Sequence, residues 1–182
     1  MKLVGVSGAL AGDKTSAVVN DVLVYARRFD SNIKTELIDL RDYEIDFFNG
    51  APLADYNEDT WNVVQKISSA DFLIFGTPIY QASISGALKN LFDHFPEYAF
   101  KHKVTGMIAT GWSDKHFLVM EYHLRSILSY FKGFVPTNNV FVHNSAFEID
   151  SDEIIDERVS ERIQQLAEEM VSLQRGVNNR QA

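Results

Sequence analysis

The chain opens on a short apolar run, residues 1–6, in which β-branched Val4 and Val6 suit a buried strand too short to be an ordinary helix. After a glycine-rich break, Ala17, Val18, Val19, Val22, Leu23, Tyr25 and Ala26 return at helical spacing, and Arg27 and Arg28 stand where cations suit the negative end of a helix dipole. Residues 34–40 alternate and then turn apolar, a second strand. Residues 58–70 carry Trp61, Val63, Val64 and Ile67 on a helical pattern. Phe72, Leu73, Ile74 and Phe75 are apolar without alternation, which predicts a strand covered on both faces, as in a parallel sheet flanked by helices. A helix over 85–95 that Pro96 stops, a strand over 104–109, a helix over 116–131, a strand over 140–142 and a helix over 151–174 complete the series. Residues 41–57 are long for a connection and rich in Asp, Asn and aromatics. They are a candidate functional loop, with Phe47 and Phe48 expected on the core or on a site wall.

Five strands alternating with five helices predict a doubly wound α/β sheet, because parallel neighbours need right-handed helical crossovers, and the order 2-1-3-4-5 follows. In that order the winding reverses between the first and third strands. The loops after them, 7–16 and 78–85, then meet in one crevice, and the loop after the fourth strand, 110–114, borders it. With 182 residues, 46% of them hydrophobic, the chain suits one domain over residues 1–175 and a frayed tail over 176–182. It shows no internal repeat or low-complexity linker.

Charge and cysteine usage remove several classes of function. A net charge of -8 disfavours a sequence-blind binder of nucleic acid or anionic membrane, although a local cationic pocket remains compatible with it. Without a cysteine there is no disulfide framework, thiolate zinc site, iron–sulfur cluster or catalytic thiol. The N-terminus lacks a secretory apolar region with a cleavage site, and no apolar run approaches the length of a membrane span, so the expected compartment is the cytoplasm.

The chemistry sits in the three converging loops. In the first, Gly5, Gly8 and Gly12 let main-chain N–H groups approach a ligand, Ser7, Thr15 and Ser16 add hydroxyls, and Lys14 adds charge at the start of a helix. Such a loop suits a phosphate monoester held on the helix N-terminus. It matches neither the ATP-type P-loop nor the dinucleotide fingerprint, and by itself it reads equally as a capped polar turn. The second and third loops add flat surface through Pro78, Tyr80 and Trp112, with main-chain donors near Gln81, Ala82, Ser83 and Gly111. A phosphate at one end and a planar heteroaromatic at the other fit FMN, whose pyrimidine edge needs N–H donors when negative charge builds on it.

Three stretches carry a family resemblance: Ser7-Gly8 with Lys14-Thr15-Ser16; Thr77-Pro78-Ile79-Tyr80-Gln81-Ala82-Ser83-Ile84-Ser85-Gly86-Ala87-Leu88-Lys89-Asn90; and Ala109-Thr110-Gly111. Together, from the first strand through Val142, they resemble the NADPH-dependent FMN reductase family of flavodoxin-like proteins, and look nearest to the flavin reductases that serve two-component alkanesulfonate monooxygenases. The resemblance implies an NAD(P)H-dependent FMN reductase that takes hydride from NADPH onto FMN. Reduced flavin then goes to a monooxygenase partner, or electrons go to a quinone, azo or metal acceptor. It further implies that Ser7, Lys14, Thr15 and Ser16 hold the FMN phosphate, that Pro78, Ile79, Tyr80, Gln81, Ala82 and Ser83 line the ring, and that Thr110, Gly111 and Trp112 flank its other edge. Two departures stand out: Trp112 replaces a second glycine common among relatives, and Ala9-Leu10-Ala11-Gly12 replaces a frequent Ser-Pro.

No side chain reads as an obligatory general acid or nucleophile, which suits a reaction carried by two cofactors. The five histidines are scattered rather than spaced for a metal, and read as surface or packing residues. The segment 116–131 is apolar on more than one stripe. That face is expected to pack on another subunit, giving a homodimer or homotetramer, and the resemblance places Tyr122 in a π-type bulge at that contact. The alternative whole-chain reading is a non-enzymatic FMN electron carrier like flavodoxin. A phosphoacceptor receiver needs an acidic pair after the first strand, where Gly5 and Ser7 stand instead.

Overall fold

A computed structural model describes residues 1–180. Five parallel strands, β1 (Lys2–Ser7), β2 (Lys34–Asp39), β3 (Phe72–Pro78), β4 (Thr105–Gly111) and β5 (Val140–His143), form one sheet in the order 2-1-3-4-5. The expected topology is the observed one. Helices α1 (Lys14–Phe29) and α6 (Glu157–Asn179) cover one face, while α2 (Glu58–Ser68), α3 (Gly86–Asp93) and the segment 117–130 cover the other. Alternate residues of each central strand serve the two cores: Leu3, Phe72 and Ile74 face α1 and α6, whereas Val4, Val6, Leu73 and Phe75 face the second layer.

The helix over 117–130 is not uniform. It runs as α4 (Phe117–Val119), a π-helical turn (Met120–Leu124) that contains Tyr122, and α5 (Arg125–Tyr130). Several boundaries differ from the expected ones for identifiable reasons. Strands β3 and β4 reach Pro78 and Gly111 because their pairing continues through Pro78 opposite Thr110, so Thr110 and Gly111 end a strand rather than begin a loop. Helix α3 stops at Asp93, ahead of His94 and Pro96. Helix α6 starts at Glu157 instead of Ser151, because Phe147 bridges Ile154 and the Asp156 carboxylate caps the N–H groups of Arg158 and Val159. At the other end α6 continues beyond Gln174, whose amide donates to the Asn178 side chain and to the His102 carbonyl. The helix therefore enters the segment expected as tail, of which residues 181–182 lie outside the described residues. Phe48 packs against Tyr56 and His94, but Phe47 is 83% exposed on the rim of an apolar groove rather than on the core.

Close approach places α1 over the site. A Cβ on Gly76, in β3, would run into Val19 of α1, so its hydrogen lets the helix sit directly on the sheet with its N-terminus at the strand ends.

Candidate functional site

The carboxyl ends of β1, β3 and β4 bring the three loops together, and hydrogen bonds lock them to one another. Gly8 N–H donates to the Gly76 carbonyl (2.8 Å), and the Ser85 hydroxyl donates to the Gly8 carbonyl (2.6 Å) while accepting from Leu88 N–H (3.1 Å) as the cap of α3. Ile79 N–H donates to the Thr110 carbonyl (2.9 Å), and the Thr15 and Thr110 hydroxyls meet at 2.9 Å. The crevice is therefore a hydrogen-bonded junction of strand ends.

Of the residues expected in the site, Lys14, Thr15, Pro78, Ile79, Tyr80, Thr110, Gly111 and Trp112 line one cleft of about 170 Å³, together with Ala11, Gly12 and Asn144. Ser7 is fully buried at the mouth of the first loop, and its hydroxyl has no hydrogen-bond partner among the described residues. The first backbone hydrogen bond into α1 is Ala17 N–H to the Asp13 carbonyl, so the N–H groups of Lys14, Thr15 and Ser16 have no acceptor among the described residues. These groups fit an anion. Ser16 lies outside the cleft lining; its hydroxyl donates to the Asp13 carbonyl (2.9 Å) and accepts from Arg41 (3.2 Å).

The second loop makes a tight turn. Tyr80 and Ser83 exchange both backbone hydrogen bonds (3.1 and 3.0 Å), and Gln81 and Ala82 between them take φ of 47° and 58°. This left-handed pair is the conformation of a type I′ turn, held here without glycine. It leaves the N–H groups of Gln81 and Ala82 with no backbone acceptor among the described residues. Tyr80 is 51% exposed and Trp112 77% exposed, so two aromatic faces rim the cleft. Gln81, Ala82 and Ser83 stand beyond its lining.

Sequence reading missed four contributors. Asn144 accepts from the Lys14 ammonium (3.0 Å), which also lies over the Phe147 ring. His143 accepts the Ser145 N–H at Nδ1 (3.2 Å), so its ring proton sits on Nε2 and is donated to the Trp112 carbonyl (2.8 Å). His123, in the π-turn, meets the Ser83 hydroxyl at 3.4 Å. Arg41 reaches the first loop from the end of β2, where it forks onto Asp39 (3.1 and 2.7 Å) and also pairs with Asp13. Burial works against ionisation of Asp39, but the hydrogen bonds from Arg41 outweigh it and hold this carboxyl below its ordinary range. The only advance signal for three of these was position, since residues 41, 143 and 144 lie at or just after the carboxyl ends of strands.

Larger cavities exist elsewhere. One of about 390 Å³ beside β5 is lined by Asp114, Glu121 and Asp156 against the single guanidinium of Arg162, a net acidic set that suits a phosphate poorly. No group of three or more metal-ligating side chains occurs, and no helix is long and apolar enough to cross a membrane, among the described residues.

Comparison with known proteins agrees with this chemistry. A family model described as NADPH-dependent FMN reductase matches residues 1–148. An NAD(P)H-dependent FAD/FMN reductase of Geobacillus thermodenitrificans is 44% identical over 173 residues, covering 95% of this chain and 93% of that one. An NADPH-type FMN reductase of Pseudomonas aeruginosa is 30% identical over 174 residues, covering 94% and 91%. Among solved structures, an NADH:FMN oxidoreductase in its apo form superposes with a TM-score of 0.80 at 25% identity, over 94% of this chain and 89% of that chain.

Proposed function

The chain belongs to the NADPH-dependent FMN reductase family and is an NAD(P)H-dependent FMN reductase, and from that premise we propose that the crevice at the ends of β1, β3 and β4 is where FMN is held. The observation that carries the reading is a single cleft with an anion-seeking loop at one end and Pro78, Tyr80 and Trp112 at the other.

In this reading Ser7, Lys14, Thr15 and Ser16 bind the phosphate through free amides, the buried hydroxyl and the ammonium. Pro78, Ile79 and Tyr80 shelve the ring. The unpaired N–H groups of Gln81 and Ala82 donate to its electron-rich edge, and the left-handed turn fixes them in advance, so little reorganisation is needed as charge develops. Thr110 and Gly111 close the other edge, and Trp112, held by His143, covers the approach of the second nucleotide. The bound flavin and nicotinamide supply the hydride chemistry, and the chain supplies proximity and fixed dipoles. Purified protein with added FMN should oxidise NADPH or NADH, read at the nicotinamide absorbance; no oxidation of either would overturn the assignment of the crevice.

A shallow cleft with both aromatic rims exposed favours a flavin that leaves after reduction for a flavin-dependent monooxygenase over one retained to reduce a quinone, azo or metal acceptor. Sequential steady-state kinetics in NADPH and FMN support release, whereas ping-pong kinetics with a second acceptor support retention.

Phe117, Leu118, Tyr122 and Tyr130 are exposed along 117–130, and we assign this face to a second copy of the chain in a homodimer or homotetramer. A π-turn inserts an extra residue and swings Tyr122 out of the helical repeat, 71% exposed. Light scattering should return an oligomer mass, and a monomer would remove this part of the reading.

A further inference from the structure

Helix α1 stands apart from its neighbours in how it begins. Helices α2, α3 and α6 are each capped by the side chain preceding them: Asn57 accepts from Thr60 N–H (2.8 Å), Ser85 from Leu88 N–H (3.1 Å) and Asp156 from Arg158 N–H (2.9 Å). Asp13 precedes α1 and is among the strongest capping residues, yet its carboxylate makes no cap. It is turned instead toward the Arg41 guanidinium, which is anchored by its fork onto buried Asp39 and reaches the Ser16 hydroxyl as well. In register, Asp39 lies beside Ser7, whose buried hydroxyl at the mouth of the same loop has no partner among the described residues.

A carboxylate in the capping position would occupy the N–H groups of Thr15 or Ser16 and set a negative charge where a phosphate must sit. We propose that Arg41 determines the selectivity of the site for a phosphorylated flavin by drawing the Asp13 carboxylate off the N-terminus of α1. This rests on the assignment of the first loop to the FMN phosphate. Arg41 is thereby a positioning residue that acts through Asp13.

Riboflavin, which lacks the phosphate, is the internal control. Dissociation constants for FMN and riboflavin are measured by fluorescence quenching in the unsubstituted chain and in Arg41→Gln, Arg41→Gln/Asp13→Ala and Asp13→Ala variants. Glutamine keeps an amide donor for Asp39, which protects folding. Arg41→Gln should weaken FMN about tenfold and leave riboflavin within about twofold. Adding Asp13→Ala should restore most of the FMN preference, which repair of a misfolded loop would not do. Asp13→Ala alone should tighten FMN less than about twofold, because that carboxylate is already withdrawn. The assignment to Arg41 is overturned if Arg41→Gln keeps the full FMN preference, if the double variant fails to recover it, or if Asp13→Ala alone tightens FMN fivefold or more. Should the unsubstituted chain bind riboflavin as tightly as FMN, the assignment of the first loop to the phosphate fails first, and independently of Arg41.

Discussion

Gly8 stands at the closest point between the first loop and α3. A Cβ there would meet Leu88 Cβ at 2.8 Å, on α3, and Ser85 Oγ at 3.1 Å, in the cap that pins that helix to the loop. Gly8→Ala should therefore cost about 1–3 kcal/mol of stability in urea unfolding and weaken FMN binding in the same protein. Ser85→Ala removes both the cap of α3 and the bond to Gly8, and should cost about 0.5–2 kcal/mol in the same measurement. Trp112 is 77% exposed, and its bond to His143 runs through the backbone carbonyl, so Trp112→Ala should leave the melting temperature unchanged while raising KM for NADPH. The glycines, hydroxyls and Lys14 of the first loop could be read as a site because their chemistry is local to a few residues. Arg41, His143 and Asn144 could not: each meets its target across the sheet, through the pairing of Ser7 with Asp39 and of Gly111 with His143.

At the scale of elements, apolar periodicity located each helix, but capping side chains and strand pairing fixed where each one begins and ends. The delayed start of α6 shows it: residues 151–156 have helical composition, yet the Asp156 carboxylate gives the chain its first stable turn. Asp156→Ala should destabilise the fold by about 0.5–2 kcal/mol, measured by urea unfolding with an unchanged slope. The π-turn behaves differently. Its Glu121 carboxylate, held low by the Arg125 guanidinium, also accepts from Asn139 ahead of β5, so the turn is tied to the sheet while Tyr122 is presented outward. Tyr122→Arg should lower the mass seen by light scattering without loss of helical circular dichroism.

Across the whole molecule, the ion pairs set the response to acid. Lys2 holds the Glu36 carboxyl below its ordinary range, Arg125 does so for Glu121, and for Asp39 and Glu169 hydrogen bonds from Arg41 and from the amides of Thr137 and Asn138 overcome burial. Each group binds protons less readily folded than unfolded, so the stability it adds is complete above about pH 5 and is lost as the pH falls through the unfolded and then the folded values. Asp21, whose carboxyl burial pushes up, acts in the opposite direction. Urea unfolding from pH 7 down to pH 3 should show a flat plateau and then a steep acid limb, which Asp39→Asn makes shallower. The sequence by itself determined the number and order of strands, the doubly wound topology and the three loops of the crevice, because apolar periodicity and the handedness of parallel crossovers depend only on near neighbours along the chain. Only the tertiary structure decided that α1 begins uncapped and that His143 holds the third loop, whereas the π-turn at Tyr122 was already implied by the family resemblance. Both depend on pairings between residues far apart in the chain, Arg41 with Asp13 and His143 with Trp112, and strand register sets those distances.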